Sequence, residues 1–182
     1  MVGAKRVRRG HYMAYRFISS FITYFWFSLI YSLMSLAFQI EMTRAYGHAG
    51  FMVYWMTNWM TMTAVGTVIE IAALMLTLYF PTLLGFWLIF WVISNVSPTY
   101  TPMTLTANLY RYRYSFPSYN AYECTKMILF NTHKGHIGWC YGIIAAWIIV
   151  MNIILYFCID LFIKKMSRKA QQAAMRTDEK KG

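Results

Sequence analysis

Glu70 is the residue whose type and position first suggest chemistry. It lies inside a long apolar run, a few residues from the midpoint of that run. A charged group at the centre of a membrane helix costs about 2.5–3.5 kcal/mol on insertion scales, so such residues normally face the bundle interior and have a partner. Two interpretations stay open. The carboxyl could serve a substrate or proton pathway, or it could be protonated or hydrogen-bonded and pin two helices together.

Small and polar residues form a stripe around Glu70 at helical spacing. This stripe consists of Thr63, Gly66, Glu70, Ala73 and Thr77. A matching stripe on the preceding apolar segment consists of Ser20, Tyr24, Ser28, Ser32, Ser35 and Gln39. Serines and small residues three or four apart let membrane helices approach closely. We predict that the two stripes contact each other, with lining of a polar pathway as the alternative. The predicted helix-packing residues are Ser28, Ser32, Ser35 and Gly66.

Arg111 and Arg113 alternate with three tyrosines in residues 110–114. Tyrosine prefers the boundary between membrane and water, and arginine can extend its charged head to that boundary. The run therefore predicts an interfacial or re-entrant segment whose arginines attract anionic head groups or hold a hairpin in place. Alternating basic and aromatic residues also occur in proteins that stack single-stranded nucleic acid, but the neighbouring apolar segments disfavour that partner.

No other constellation in the sequence predicts catalysis or metal binding. There is no CxxC motif, and His133 and His136 alone do not make a closed metal site. No phosphate-binding loop, acid pair or nucleophile with a base is recognisable, so we expect no enzymatic activity and no cofactor. Cys124 and Cys140 could form one disulfide in an oxidising compartment; free thiols are the equal alternative.

The composition places these residues in a membrane. Of the 182 residues, 59% are apolar and only 13% are charged, against about 25% charged in average soluble domains. Four apolar segments stand out, at residues 17–40, 51–80, 83–96 and 137–163. A bilayer span needs about 20 mostly apolar residues, and the third segment is short. The sequence predicts an all-α integral membrane protein with about four transmembrane helices.

The positive charges predict how the chain crosses the membrane. Net charge is +11, and of the 17 lysines and arginines five lie in residues 5–16 and seven in residues 164–181. Under the positive-inside rule, both the basic tail at 1–16 and that at 164–182 are cytosolic. Residues 97–136 then lie on the outer side, as a re-entrant segment with an amphipathic helix near 118–131. The expected location is the plasma membrane or an endomembrane.

The order of several motifs is also informative. They are YRFISS (15–20), SLIYSL (28–33), YWM (54–56), MTAVG (62–66) with Glu70, FWVISNVS (90–97), LYRYRYSFP (109–117) and GIIAAW (142–147). Across about residues 15–160, the chain resembles the C-terminal membrane portion of the fungal nitrosoguanidine-resistance family. That family is related to the Pip/YhgE proteins and to the membrane domains of type-2 ABC exporters.

The resemblance implies a permease-type membrane domain with an outer re-entrant hairpin before the last span. It links the chain to resistance to toxic compounds and to movement of lipids or amphipaths. We therefore expect a permease-like module for export or bilayer handling of such compounds, with Glu70, Arg111 and Arg113 as candidate residues. Full members of that family carry an earlier membrane helix and a large extracytoplasmic domain. The alternative is a non-transporting scaffold, a homo-oligomer, a subunit of a larger membrane partner, or a fragment of a larger member.

Overall fold

The computed structural model describes residues 9–100, 108–132 and 134–179, and every regular element in these ranges is helical. Its α-helices are α1 (Arg9–Ala37), α2 (Thr43–Tyr46), α3 (Gly50–Tyr79), α4 (Leu84–Tyr100), α5 (Pro117–Phe130) and α6 (Ile137–Glu179). Short 3-10 helices at Gly47–Ala49, Pro81–Leu83, Asn108–Ser115 and Lys134–His136 connect them. The predicted all-α class is confirmed.

Three helical stretches are long and apolar enough to cross a membrane. They are Met13–Ala37, Thr43–Tyr79 and Ile137–Arg168. Large apolar side chains such as Phe27 and Phe157 are about 60% exposed on their outer faces, as lipid-facing side chains are. The third predicted span forms α4, whose apolar stretch Pro81–Ser97 is shorter than these three. The chain is thus an all-helical integral membrane protein, with three helices long and apolar enough to span a bilayer and one shorter apolar helix.

The helix ends follow from local backbone chemistry. Pro117 begins α5, where its missing N–H costs no hydrogen bond. Asn131 ends the same helix in the left-handed conformation (φ 51°, ψ 39°), which asparagine tolerates better than most residues. The third apolar segment ends at residue 96, yet α4 continues through Pro98 to Tyr100. α6 is helical through Glu179 and so extends into the basic tail at 164–182.

The bundle is organised around α3. Three buried clusters mark successive levels along it: Tyr54 with Met42 and Ile128, Ala64 with Ala121 and Ile144, and Leu74 with Leu155 and Ile159. Residue numbers rise along α6 in the same direction as along α3 and fall along α5, so α6 runs parallel to α3 and α5 runs antiparallel. Consequently α5 begins beside the middle of α3 and ends beside its first turns. Met13 and Phe17 of α1 pack at the Leu74 level, so α1 runs antiparallel to α3.

Candidate functional site

Glu70 of α3 is hydrogen-bonded to α1. The Tyr24 hydroxyl donates to Glu70 Oε1 over 2.5 Å, a length typical of a hydroxyl bound to a carboxylate. The side chain of Glu70 is 17% exposed. The carboxyl therefore links two neighbouring helices, which is the geometry that the helix-pinning interpretation requires.

Arg16 supplies the second contact of this carboxyl. Its Nε lies 3.8 Å from Glu70 Oε2, which is within ion-pair distance but too long for a hydrogen bond. Both atoms are buried, and neither has a hydrogen-bond partner. Arg16 and Tyr24 are two helical turns apart and share a face of α1, so Glu70 lies between a cation and a hydroxyl from the same helix.

Gly66 provides the space in which Tyr24 lies. A Cβ atom added at Gly66 would come within 2.5 Å of the Tyr24 Cζ and 2.7 Å of its hydroxyl oxygen. Gly66 precedes Glu70 by one helical turn, so the ring lies over Gly66 while the hydroxyl reaches the carboxyl. The packing role of Gly66 is thus specific to one aromatic side chain.

The predicted serines extend the contact between α1 and α3. Each is buried and bonds to a side chain of α3. The pairs are Ser28 Oγ with Trp55 Nε1 at 3.1 Å, Ser32 Oγ with Asn58 Nδ2 at 3.0 Å, and Ser35 Oγ with the Tyr54 hydroxyl at 3.2 Å. We call these serines, with Tyr24, Gly66, Glu70 and their partners on the opposite helix, the polar seam.

An open groove runs along the surface beside the polar seam. It has a volume of about 660 Å³, and its walls come from α1 and α3 with Ser118 of α5 at one edge. Phe27, Met34 and Val65 make it largely apolar. Tyr24 lines this groove with its side chain and also binds Glu70. A second open groove of about 600 Å³ lies between α1 and α6.

The two arginines predicted as candidate residues, Arg111 and Arg113, are not part of the polar seam. Arg113 is in the 3-10 helix Asn108–Ser115, is only 2% exposed, and places its guanidinium 5.0 Å from the centre of the Tyr119 ring. Burial suits holding a hairpin better than attracting a head group. The side chain of Arg111 lies outside the described part of the structure. The described cation that pairs with Glu70 is Arg16, which sequence reasoning had assigned only to the basic tail.

Polar contacts hold the segment that leads into α5. Trp147 Nε1 of α6 donates to the Ser115 carbonyl over 2.6 Å, and Ser118 Oγ donates to Asn95 Oδ1 of α4 over 3.1 Å. Asn120 Nδ2 donates to the carbonyls of Tyr114 and Phe116. The bonds to the Tyr114 and Ser115 carbonyls satisfy backbone acceptors at the break between the two helices, and the Ser118–Asn95 bond ties the start of α5 to α4.

Side chains of α5 contact two cations, Lys126 of the same helix and Arg113 of the preceding segment. Lys126 Nζ lies 2.7 Å from Glu123 Oε1, and Arg113 faces the Tyr119 ring. Burial, and then the adjacent carboxylate of Glu123, raise the pKa of Tyr119 to about 12. Tyr119 therefore keeps its proton throughout the physiological range.

Cysteines and histidines do not assemble into a metal centre among the described residues, where no group of three or more His, Cys, Asp or Glu could hold an ion. Cys124 and Cys140 are buried free thiols. His133 lies outside the described residues, and His136 is exposed at the start of α6.

Together the long apolar helices, their exposed apolar faces and the polar seam define a polytopic α-helical membrane protein. The chain belongs to the family of proteins of unknown function designated DUF3533, whose family model matches residues 1–153. It is similar to an uncharacterised endoplasmic reticulum membrane protein of Saccharomyces cerevisiae, with 34% identity over 174 residues. The alignment covers 96% of this chain and 34% of the yeast protein, so the chain spans about a third of that relative's length. No solved structure matches the chain.

Proposed function

We propose that the chain is a permease-like module that exports toxic or amphipathic compounds or lipids, or handles them within the bilayer. The observation that carries this proposal is the open apolar groove of about 660 Å³ beside the Glu70–Arg16 pair. An amphipath has an apolar part that would fill such a groove and a polar part that would interact with the charged pair through Tyr24. The resemblance to the nitrosoguanidine-resistance family supports the same class of compound, and the role requires no catalytic step.

The proposed topology has four crossings and both tails in the cytosol. Support comes from the helix directions: α3 and α6 run parallel, so α4 and α5 must return the chain along the bundle between them. With 17 residues, α4 is about 25 Å long at 1.5 Å per residue, close to the roughly 30 Å hydrocarbon thickness. The re-entrant segment would be the part from the end of α4 through α5.

The ends of the helices support the same arrangement. The start of α1 and the end of α6 lie at the Leu74 level of the bundle, so the two basic tails emerge at one end. There Lys165 Nζ lies 3.4 Å from the centre of the Tyr79 ring, a cation and an aromatic ring of the kind that mark a membrane boundary. The yeast relative's location supports the endoplasmic reticulum as the membrane.

Photolabelling tests occupation of the groove. The purified chain in lipid nanodiscs is illuminated with a phospholipid that carries a photoactivatable, clickable acyl chain, and the labelled peptides are mapped. We expect labelling of groove residues, and Val65→Trp should reduce it several-fold because the indole fills the groove. The control is Val92→Trp at an exposed position of α4 outside the groove. Equal labelling of the groove in the Val65→Trp variant would overturn the proposal.

Compound sensitivity tests the activity itself. A strain that lacks its own family member is complemented with this chain, and growth is measured across a panel of alkylating and amphipathic toxicants. Glu70→Gln should lose resistance at equal expression, because the charged pair with Arg16 is lost. Glu41→Gln is the matched control, since Glu41 is exposed and pairs with Arg44 on the same short segment. Unchanged resistance with Glu70→Gln would count against a pathway role for this carboxyl.

The second candidate is a non-transporting subunit of a larger membrane assembly. Its support is the second open apolar groove, of about 600 Å³ between α1 and α6, which a membrane helix of a partner would fill. Purification of the tagged chain at native expression separates the two candidates. A stoichiometric membrane partner would favour the subunit role, and lipid movement by the purified chain alone in liposomes would favour the permease role.

A further inference from the structure

Two of the three cysteines face each other between α5 and α6. Cys124 is completely buried and Cys140 is 5% exposed. Cys124 follows Ala121 by one helical turn and Cys140 precedes Ile144 by one turn, and Ala121 and Ile144 lie in one buried cluster. Because α5 and α6 run antiparallel, both cysteines lie on the same side of that cluster. Both are reduced in this structure. The third cysteine, Cys158, lies 18 residues further along α6 and is only partly buried.

We propose that Cys124 and Cys140 form a disulfide that ties the re-entrant helix α5 to the last membrane helix α6. A disulfide requires side chains that converge, and two buried cysteines one turn from a shared cluster on packed antiparallel helices are placed to meet that requirement. The bond would close a loop that contains the end of α5 and the start of α6, at the point where the chain turns back into the membrane.

This inference rests on the proposed topology. With both tails cytosolic, the connection between α5 and α6 faces the lumen, which is an oxidising compartment. The oxidant would be a disulfide of a lumenal exchange protein or of glutathione. One cysteine thiolate attacks that disulfide and expels one thiol of the oxidant; the other cysteine then displaces the second. In total two protein thiols become one disulfide, and the oxidant's disulfide becomes two thiols.

The burial of both cysteines determines when the disulfide can form. An exchange partner cannot reach either sulfur while α5 packs against α6, so the bond forms during folding, before the two helices close. Once formed, it is protected from reductants by the same packing. The disulfide would therefore be stable in the folded chain and would need no continuing oxidation.

Counting free thiols tests the proposal on the full chain in endoplasmic reticulum membranes. Membranes are quenched with acid, dissolved in denaturant and treated with a maleimide polymer that retards the chain on a gel once per free thiol. With three cysteines in the chain, we expect one added polymer without prior reduction and three after reduction. Cys158→Ser should give none before reduction and two after it. Cys124→Ser should give two in both cases.

Three added polymers without prior reduction would overturn the proposal. Protease added to sealed vesicles from the same cells reports separately on the topology through a C-terminal epitope tag. If the tag is cleaved and all three thiols are free, the disulfide is refuted while the topology stands. If the tag is protected and all three are free, both inferences fail.

Discussion

The sharpest test of the polar seam is the substitution Gly66→Ala. The added methyl would lie 2.5–2.7 Å from the outer atoms of the Tyr24 side chain. This distance is shorter than van der Waals contact allows, so the ring must move. The ring belongs to a side chain that can rotate, so the helices need not separate. Rotation would, however, move the hydroxyl away from Glu70 and break the 2.5 Å hydrogen bond.

The expected cost comes from that bond. Interhelical hydrogen bonds in membranes contribute about 0.6 kcal/mol on average and up to about 1.7 kcal/mol, and bonds to charged groups are worth about 1.5–3 kcal/mol. We therefore expect a loss of about 1.5 kcal/mol. Replacing glycine by alanine inside a helix has the opposite effect, because it stabilises the helix by about 0.5–1 kcal/mol.

A matched control removes this gain from the comparison. Gly142 lies inside α6, and a Cβ atom there would meet nothing within 4 Å. Gly142→Ala therefore carries the helix-propensity gain alone. Gly66→Ala should be less stable than Gly142→Ala by about 1.5 kcal/mol, measured by SDS-induced unfolding in mixed micelles with tryptophan fluorescence.

A third variant isolates the cause. When Tyr24→Ala is present, the methyl at residue 66 has no ring to displace, and Gly66→Ala should become neutral or stabilising. The reasoning would be refuted if Gly66→Ala and Gly142→Ala unfolded at the same SDS concentration. It would also be refuted if Gly66→Ala destabilised the chain equally with and without the Tyr24 ring.

Three further predictions follow from other contacts. Cysteines substituted for Ser32 and Asn58, whose side chains now bond at 3.0 Å, should crosslink on mild oxidation; no crosslink on a non-reducing gel would show that the α1–α3 pairing is wrong. Asn131→Val should lower stability by about 1–2 kcal/mol because residue 131 is left-handed, whereas Asn131→Gly should be nearly neutral; equal SDS midpoints would contradict this. Trp147→Phe removes the donor to the Ser115 carbonyl and should speed amide hydrogen exchange in residues 114–120; unchanged exchange would mean that this bond does not hold the hairpin.

The length of the apolar segments predicted much of the helical structure, because local composition specifies a long membrane helix. The long helices α1, α3 and α6 overlap the apolar segments around 17–40, 51–80 and 137–163. The amphipathic helix expected near 118–131 is α5. Helix ends were less predictable: polar residues can continue a helix, as at the start of α1 and along the tail of α6.

The partner of Glu70 was not predicted, although the sequence contains a signal for it. Arg16, Ser20, Tyr24, Ser28 and Ser32 recur every four residues, so the serine stripe extends by one turn into the basic tail. Because Arg16 was assigned to the basic tail, its place on the same helix face as these serines was not recognised. The pairing also depends on how far α1 slides along α3, and no property of a single helix determines that offset.

The central claim is that four crossings bring both tails to the same side of the membrane. The most direct measurement uses sealed endoplasmic reticulum vesicles that contain the chain with a different epitope tag at each end, treated with protease from outside. The account predicts that both tags are digested while the vesicles are intact. Protection of one tag until detergent is added would mean an odd number of crossings and would contradict the account.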